Sequence, residues 1–266
     1  MRRNSPSPLE TAFAVLAWIG ISVSTVFWVT LMGLAYLAHP FFDPQRAGFH
    51  RMASWWGRTL IALAPGVRLE IGGLEHVPVN RPVIFMANHQ SYVDVPVLFL
   101  LPFQFRWLAD QDLFRIPVFG WGMRLAGYIP VRRGEARSGL DALARAKEYL
   151  RQRISIFLFP EGTRSRTGVL GRFQTGGFRL AFQAQVPLVP VVVVGTRQLL
   201  PRGRWTFRWR VVVKIHLLPS VAPPRNRREV HSLANRVRAQ MWHEYRRLLR
   251  EYPKGGSWYH RAEHEV

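Results

Sequence analysis

His89 and Asp94, in the run Asn88-His89-Gln90-Ser91-Tyr92-Val93-Asp94, are residue types that can move a proton together, provided that they do not share a regular helix. On a continuous helix their spacing would turn the two side chains about 140° apart. The apolar run Val83-Ile84-Phe85-Met86-Ala87 in front of them reads as a buried strand, and Ser91 to Leu100 opens a helix with Ser91 as its N-cap. His89 then lies in the strand-to-helix turn, and Asp94 in the first helical turn can reach back to it. A carboxylate bonded to one imidazole nitrogen fixes the tautomer and leaves the other nitrogen to take a proton from a hydroxyl. This is half of a nucleophile triad without the nucleophile. It suits chemistry in which a substrate alcohol attacks an activated acyl carbonyl directly, with no covalent enzyme intermediate. Alone, the pair is weak, because structural histidines bonded to nearby carboxylates are common.

A second segment, Phe159-Pro160-Glu161-Gly162-Thr163-Arg164-Ser165, sharpens the reading. The strand-like run Ile154 to Phe159 ends abruptly, and charges appear where a buried strand would surface. Gly162 allows close backbone approach, Thr163 offers a hydroxyl, and Arg164 can grip a phosphate in a bidentate fork that lysine cannot form. An ordinary solvated turn has a similar composition. Together with the His89–Asp94 pair, however, the segment supplies an anion site beside a base, which points to acyl transfer onto a phosphate-bearing alcohol.

With these residues in view, the chain resembles the 1-acyl-sn-glycerol-3-phosphate acyltransferase family, the PlsC-like enzymes. Their motifs read N-H-x-x-x-x-D, a Gly/Pro-rich block ending in Arg, F-P-E-G-T-R-S and V-P-x-x-P. All four occur in that order, the second spanning Leu113 to Arg133 and the fourth Val186-Pro187-Leu188-Val189-Pro190, so that the resemblance covers Pro82 to Thr196. It implies His89 as general base, Asp94 as its orienting partner, and Arg133, Glu161, Gly162, Thr163 and Arg164 around the acceptor head group. Glu161 is expected to organise the arginines or bond acceptor hydroxyls. The implied fold is a layered mixed α/β sheet flanked by helices, of the glycerol-phosphate acyltransferase kind, with a membrane-embedded helical segment at its N-terminus. The implied reaction moves a fatty acyl group from acyl-CoA or acyl carrier protein to the sn-2 hydroxyl of 1-acylglycerol-3-phosphate, giving phosphatidic acid for phospholipid biosynthesis. No metal and no cofactor beyond that thioester co-substrate is expected.

Two departures bear on the acceptor. Asp110-Gln111-Asp112 stands where many relatives carry a lysine and a glutamate, and Gln174 where lysine is usual. Each removes a cation that could face phosphate, which leaves another lysolipid, such as lyso-ornithine lipid, as an alternative acceptor. An alternative of a different class is a catalytically silent lipid-binding protein of the membrane surface. The full set of motif side chains argues against it.

Composition leads to the same partners. Lys+Arg number 37 against 16 Asp+Glu, for a net charge of +21 and a sequence pI near 11.6, so the chain seeks anionic surfaces. No helix-turn-helix, finger or RNP-like pattern accompanies the scattered basic residues, so anionic membrane lipids are expected and nucleic acid is not. Without cysteine there is no thiol nucleophile, disulfide framework or cysteine-ligated zinc. There is also no Walker loop or dinucleotide fingerprint. His260-Arg261-Ala262-Glu263-His264 matches a metalloprotease pattern but reads as a solvated tail, with no later segment to add a third ligand.

The elements that must position the site follow a membrane-like segment. Thr11 to Ala38 carries no formal charge. As a helix it would run about 42 Å against a hydrocarbon core of about 30 Å, so it is expected to tilt or to bend near Gly20 to Ser24 as two short helices. Bulky residues continue to Tyr36 and on into Pro40-Phe41-Phe42-Asp43, unlike a cleaved signal peptide. Arg2 and Arg3 precede the segment and Arg46, Arg51 and Arg58 follow it, so charge does not choose a side. The expected location is a bacterial inner membrane with the catalytic domain on the cytoplasmic face. Trp55 and Trp56, with Leu60, Ile61 and Leu63, suit an interfacial helix or one packed on the next domain. Residues 1–66 are thus read as membrane anchor and interfacial helices, 67–222 as the catalytic domain, and 223–266 as a basic amphipathic helix and tail. Strands are expected near 67–71, 83–87, 105–109, 154–159, 188–194 and 208–218, with a helix from Ser138 to Arg153. A C-terminal helix from Asn226 to Tyr252 should turn Val230, Leu233, Val237, Met241, Tyr245 and Leu248 to one face.

Overall fold

Apolar strand runs alternating with amphipathic helices fold into one seven-stranded mixed sheet covered on both faces, the α/β layering expected from the sequence. The structure, a computed structural model, describes residues 7–37, 43, 45–64, 66–132, 134–208 and 210–252. In chain order the elements are α1 (Pro8–Tyr36), α2 (Ala47–Ala62), β1 (Arg68–Gly72), β2 (Ile84–Ala87), α3 (Asp94–Leu98), β3 (Phe105–Asp110), α4 (Phe119–Leu125), β4 (Ile129–Val131), α5 (Ala136–Arg151), β5 (Ser155–Leu158), α6 (Gly176–Ala184), β6 (Leu188–Val194), α7 (Thr196–Leu199), β7 (Val212–Leu217) and α8 (Glu229–Arg250). The sheet runs β1-β7-β6-β2-β5-β3-β4. From β6 to β4 all neighbours are parallel, while β7 runs antiparallel to β6 and carries β1 parallel to itself.

Period-two alternation divides the core. Val189, Val191 and Val193 of β6 join Phe85, Phe105, Trp107 and Phe157 on the face covered by α2, α3 and α4. Leu188, Val192 and Val194 join Ile84, Met86, Ile156 and Leu158 on the face covered by α5, α6 and α8. A strand buried on both sides has no polar face to show, hence the unbroken valines of β6. Each such side chain contributes about 1.5–3 kcal/mol on burial. The stripe expected on α8 is buried at all six positions, from Val230 to Leu248, against the second face.

Helix α1 is continuous, with no break at Gly20 to Ser24, and begins three residues earlier than the uncharged stretch. Its start is set by a capping box. Ser7 Oγ accepts from the Glu10 amide at 3.2 Å, and the Glu10 carboxylate accepts from the Ser7 amide at 2.8 Å, with Pro8 in the first turn. The helix is long and apolar enough to cross a membrane, yet one side of it lies along α2 and α4. Trp56 Nε1 donates to Thr25 Oγ1 at 3.1 Å and Trp28 Nε1 to Thr59 Oγ1 at 3.3 Å. A Cβ on Gly122 of α4 would come within 2.8 Å of Val29, so glycine is what admits α1 this closely. The outward side exposes Leu16, Ile19, Val23, Phe27 and Leu34. The tryptophan pair of α2 divides between the two roles: Trp56 packs on Phe99 and Phe119, whereas Trp55 is exposed beside Trp28.

The site sits where two connections part. From β2 the chain passes through α3 on the first face toward β3, and from β5 through α6 on the second face toward β6. Because β2 and β5 are adjacent and parallel and their connections leave on opposite faces, their carboxyl ends mark the usual ligand position in open α/β sheets.

Candidate active site

At the end of β2, the side chain of Asn88 takes over strand pairing. Its Nδ2 donates to the Val193 carbonyl at 2.8 Å, and its Oδ1 accepts from the Val193 amide at 2.7 Å. With the side chain holding β6, the backbone is free to turn out of the sheet at His89. Glu161 then fixes that turn from the end of β5. One carboxylate oxygen accepts from the His89 amide at 2.9 Å and the other from the Gly171 amide at 2.8 Å. The His89 carbonyl in turn accepts from the Ser165 amide at 2.8 Å, so the loop after β5 grips the histidine backbone on both sides.

The imidazole is held as firmly. His89 Nδ1 lies 2.7 Å from Asp94 Oδ2. A carboxylate oxygen can only accept, so Nδ1 carries the proton and Nε2 presents its lone pair. The ring stacks on Phe159 at 3.9 Å between centroids and 10° between planes, and Phe159 stacks on Trp107. Nε2 has no partner among the described residues, and the side chain keeps 13% of its surface exposed. Asp94, by contrast, is fully buried. Its Oδ2 also accepts from the amides of Gln90 at 2.6 Å and Ser91 at 2.9 Å, and its Oδ1 from the Thr196 hydroxyl at 2.5 Å. Four donors replace the water that a buried carboxylate would otherwise need. Ser91 is not the N-cap that the sequence suggested. Helix α3 begins at Asp94 itself, and Ser91 Oγ donates to the Leu200 carbonyl at 2.9 Å.

Of the other residues expected in the site, Gly162 sits in the loop after β5 with φ of +70°, a left-handed conformation that glycine adopts without strain. Thr163 is exposed, and Arg164 is half-buried with its guanidinium carbon 3.6 Å from the centre of the Tyr92 ring. Stacking covers one face of the guanidinium and leaves its N–H edges available to an anion. Arg202 Nη1 donates to the Arg164 carbonyl at 2.5 Å. Glu161 pairs with no arginine among the described residues; both its oxygens are spent on backbone amides. Burial raises its pKa above the ordinary carboxylate value, while the two amides and His89 pull it back. Arg133 lies outside the described residues, as does the His260–His264 stretch. Among the departures, Asp112 pairs with Arg115 at 3.1 Å on the surface and Gln174 is exposed.

Three contributors were not singled out from the sequence, namely Asn88, Tyr92 and Thr196. The first two lie inside the His89 motif, and their neighbourhood was the available signal. Beneath them α8 supports the loop: Arg238 donates to the carbonyls of Leu170 and Gly171, both at 2.8 Å, and Tyr245 to that of Gly168 at 2.9 Å. The arrangement is an imidazole oriented by a buried carboxylate, with a stacked arginine in the loop that bonds the histidine backbone. It can deprotonate a hydroxyl on a molecule whose anionic group is held nearby.

Comparison with known proteins fits this geometry. A family model described as Acyltransferase matches residues 68–194. The chain is 38% identical over 186 residues to a chloroplastic 1-acyl-sn-glycerol-3-phosphate acyltransferase of Arabidopsis thaliana, covering 68% of this chain and 51% of that protein. It is 31% identical over 206 residues to the 1-acyl-sn-glycerol-3-phosphate acyltransferase of Pseudomonas aeruginosa, covering 75% and 77%. The match thus spans about half the length of the plant relative and most of the bacterial one. The crystal structure of the 1-acyl-sn-glycerophosphate acyltransferase PlsC from Thermotoga maritima superimposes with a TM-score of 0.79 over 92% of this chain and 98% of that one, at 24% identity, a likeness of fold.

Proposed function

The chain belongs to the 1-acyl-sn-glycerol-3-phosphate acyltransferase family, and we propose that it transfers a fatty acyl group from a thioester to the sn-2 hydroxyl of 1-acylglycerol-3-phosphate, yielding phosphatidic acid. The observation that carries this reading is the His89 imidazole, bonded through Nδ1 to the buried Asp94 and with Nε2 unpartnered among the described residues, at the end of β2.

In this mechanism the acceptor's phosphate lies against Arg164, with Arg133, Gly162 and Thr163 completing the head-group site. The acceptor hydroxyl faces His89 Nε2. As the oxygen attacks the thioester carbonyl of acyl-CoA or acyl carrier protein, its proton passes to Nε2, and Asp94 stabilises the imidazolium. Collapse of the tetrahedral intermediate breaks the C–S bond, and the proton on Nε2 passes to the departing thiolate, so that ester and free thiol leave with His89 restored. General-base assistance of this kind supplies about 10²–10⁴-fold in rate. Glu161 acts on this step by fixing the His89 backbone.

The outward face of α1 and the net positive charge support association with anionic membrane lipids, and we assign residues 1–66 to that role, 67–222 to catalysis and 223–266 to a basic support helix and tail. The location that fits is a bacterial inner membrane with the site on the cytoplasmic face.

The test is acyl transfer by purified protein in anionic vesicles, with acyl-CoA and acyl carrier protein supplied separately to lysophosphatidic acid and to lyso-ornithine lipid. Phosphatidic acid as product is the expected result. Product from lyso-ornithine lipid alone would move the acceptor while keeping the chemistry, and no transfer to either would favour the silent lipid-binding reading.

A further inference from the structure

We infer that Thr196 is a positioning residue for the reaction, acting through Asp94 on the angle at which His89 presents Nε2. Thr196 is the first residue of α7, fully buried, and its hydroxyl donates to Asp94 Oδ1. The other three donors to Asp94, namely His89 Nδ1 and the amides of Gln90 and Ser91, all converge on Oδ2. Thr196 is therefore the single described donor to Oδ1. Three bonds to one oxygen leave the carboxylate able to swing about that oxygen, and the bond to the second oxygen fixes its plane. The imidazole, hydrogen-bonded to Oδ2, follows that plane.

The backbone is built for this contact. Between the end of β6 and Thr196 stands Gly195, with φ of +103°. A Cβ there would come within 2.2 Å of the Val212 carbonyl oxygen, so only glycine fits. That turn brings Thr196 against Asp94, while Asn88 holds Val193 three residues earlier. The charged or titratable groups around the cluster are Glu161 from the loop after β5, Arg197 from α7, bonded to the Ser165 and Arg166 carbonyls, and Tyr245 from α8. Glu161 accepts from the His89 and Gly171 amides and Tyr245 donates to the Gly168 carbonyl, so neither replaces Thr196. The Thr196 hydroxyl is spent on Asp94, so its effect belongs to the chemical step rather than to binding.

The inference rests on His89 being the base, so the experiment carries Thr196→Val, Thr196→Ser and His89→Ala together, in vesicles, with kcat and both KM values measured and folding followed by melting temperature. Thr196→Val keeps the shape and removes the donor. Its kcat is expected to fall by about ten- to a hundredfold, the size of one hydrogen bond to a buried charge, with both KM values within twofold of the parent. Thr196→Ser restores the donor and should recover most of the rate. Where the valine variant does not fold, Thr196→Cys, a weak donor of similar size, should show the same loss of kcat. A Thr196→Val protein with the parent kcat, or a serine variant as slow as the valine one, would overturn the inference. Full turnover by His89→Ala would instead remove the base on which it depends.

Discussion

Two histidines in this chain occupy aromatic-lined sites with opposite hydrogen-bonding patterns. His50, on α2, is almost wholly buried, with Nδ1 3.2 Å from the Tyr128 hydroxyl and Nε2 3.1 Å from the Phe103 carbonyl. The carbonyl can only accept, so Nε2 carries the proton and Tyr128 donates to Nδ1; both nitrogens are used. The rings of Phe99 and Phe105 pack around it, and no carboxylate is paired with it among the described residues. Burial and the nearby Arg106 lower its pKa to about 3, against the upward pull of the Phe103 carbonyl. It is a neutral cross-link between α2 and the segments that lead into β3 and β4. His89 has a carboxylate on one nitrogen, an unpartnered second nitrogen and a path to solvent. What separates the structural imidazole from the proposed base is asymmetry: one nitrogen anchored to an anion, the other unpartnered and the ring partly exposed.

The comparison can be broken at either site. The largest effect expected among the partners of the two rings is at Asp94. Asp94→Asn should lower kcat by about 10²–10⁴-fold, because an amide neither holds the required tautomer nor stabilises an imidazolium. A variant that keeps half its turnover would leave His89 no more specialised than His50. Next comes His50→Ala, which strands the Tyr128 hydroxyl and the Phe103 carbonyl and opens a cavity. It should cost roughly 2–4 kcal/mol in urea unfolding while the folded fraction turns over normally. A collapse of kcat with stability intact would contradict the structural assignment.

Smaller effects sharpen the contrast. Arg164→Lys keeps the charge but loses the planar fork stacked on Tyr92, so KM for the acceptor should rise by about tenfold with kcat little changed. Equal affinity for a phosphate and a phosphate-free acceptor in both proteins would remove Arg164 from the head-group site. Comparable in size is a pH slope. Since His50 is harder to protonate folded than unfolded, the unfolded chain binds the extra proton, and the stability it contributes above about pH 6.5 is lost progressively as pH falls toward about 3, at about 1.4 kcal/mol per pH unit. Urea midpoints at pH 7 and pH 5 should separate more in the parent than in a His50→Phe protein. An identical separation would mean that folding leaves the protonation of His50 unchanged.

Much of this was legible beforehand because it is local. Apolar runs gave away six strands, β6 most plainly, and the six-residue stripe of α8 located its buried face. Helix α1 was foreseen as apolar, but its unbroken course depends on packing against α2 and on the Gly122 approach, which no window of sequence reveals. Strand β4 was missed because Ile129-Pro130-Val131 is three residues long with proline at its centre, tolerable only at the sheet edge where it lies. In the site, the His89–Asp94 contact followed from their spacing around a turn. Thr196 did not, because its bond to Asp94 joins residues 102 positions apart and depends on the order of β6 beside β2. Glu161 was placed in the right loop, but its hold on the His89 amide is a property of two strand ends meeting. His50 had no local signal at all, since nothing in Gly48-Phe49-His50-Arg51 distinguishes a buried ring from an exposed one.

The measurement that bears most directly on the central claim is turnover by His89→Ala protein, shown by its melting temperature to be folded and by sedimentation to be bound to anionic vesicles as the parent is. An open, oriented imidazole acting as base predicts acyl transfer reduced by at least about 10²-fold with binding intact. Transfer at the parent rate in that folded, vesicle-bound variant would contradict it and place the base elsewhere.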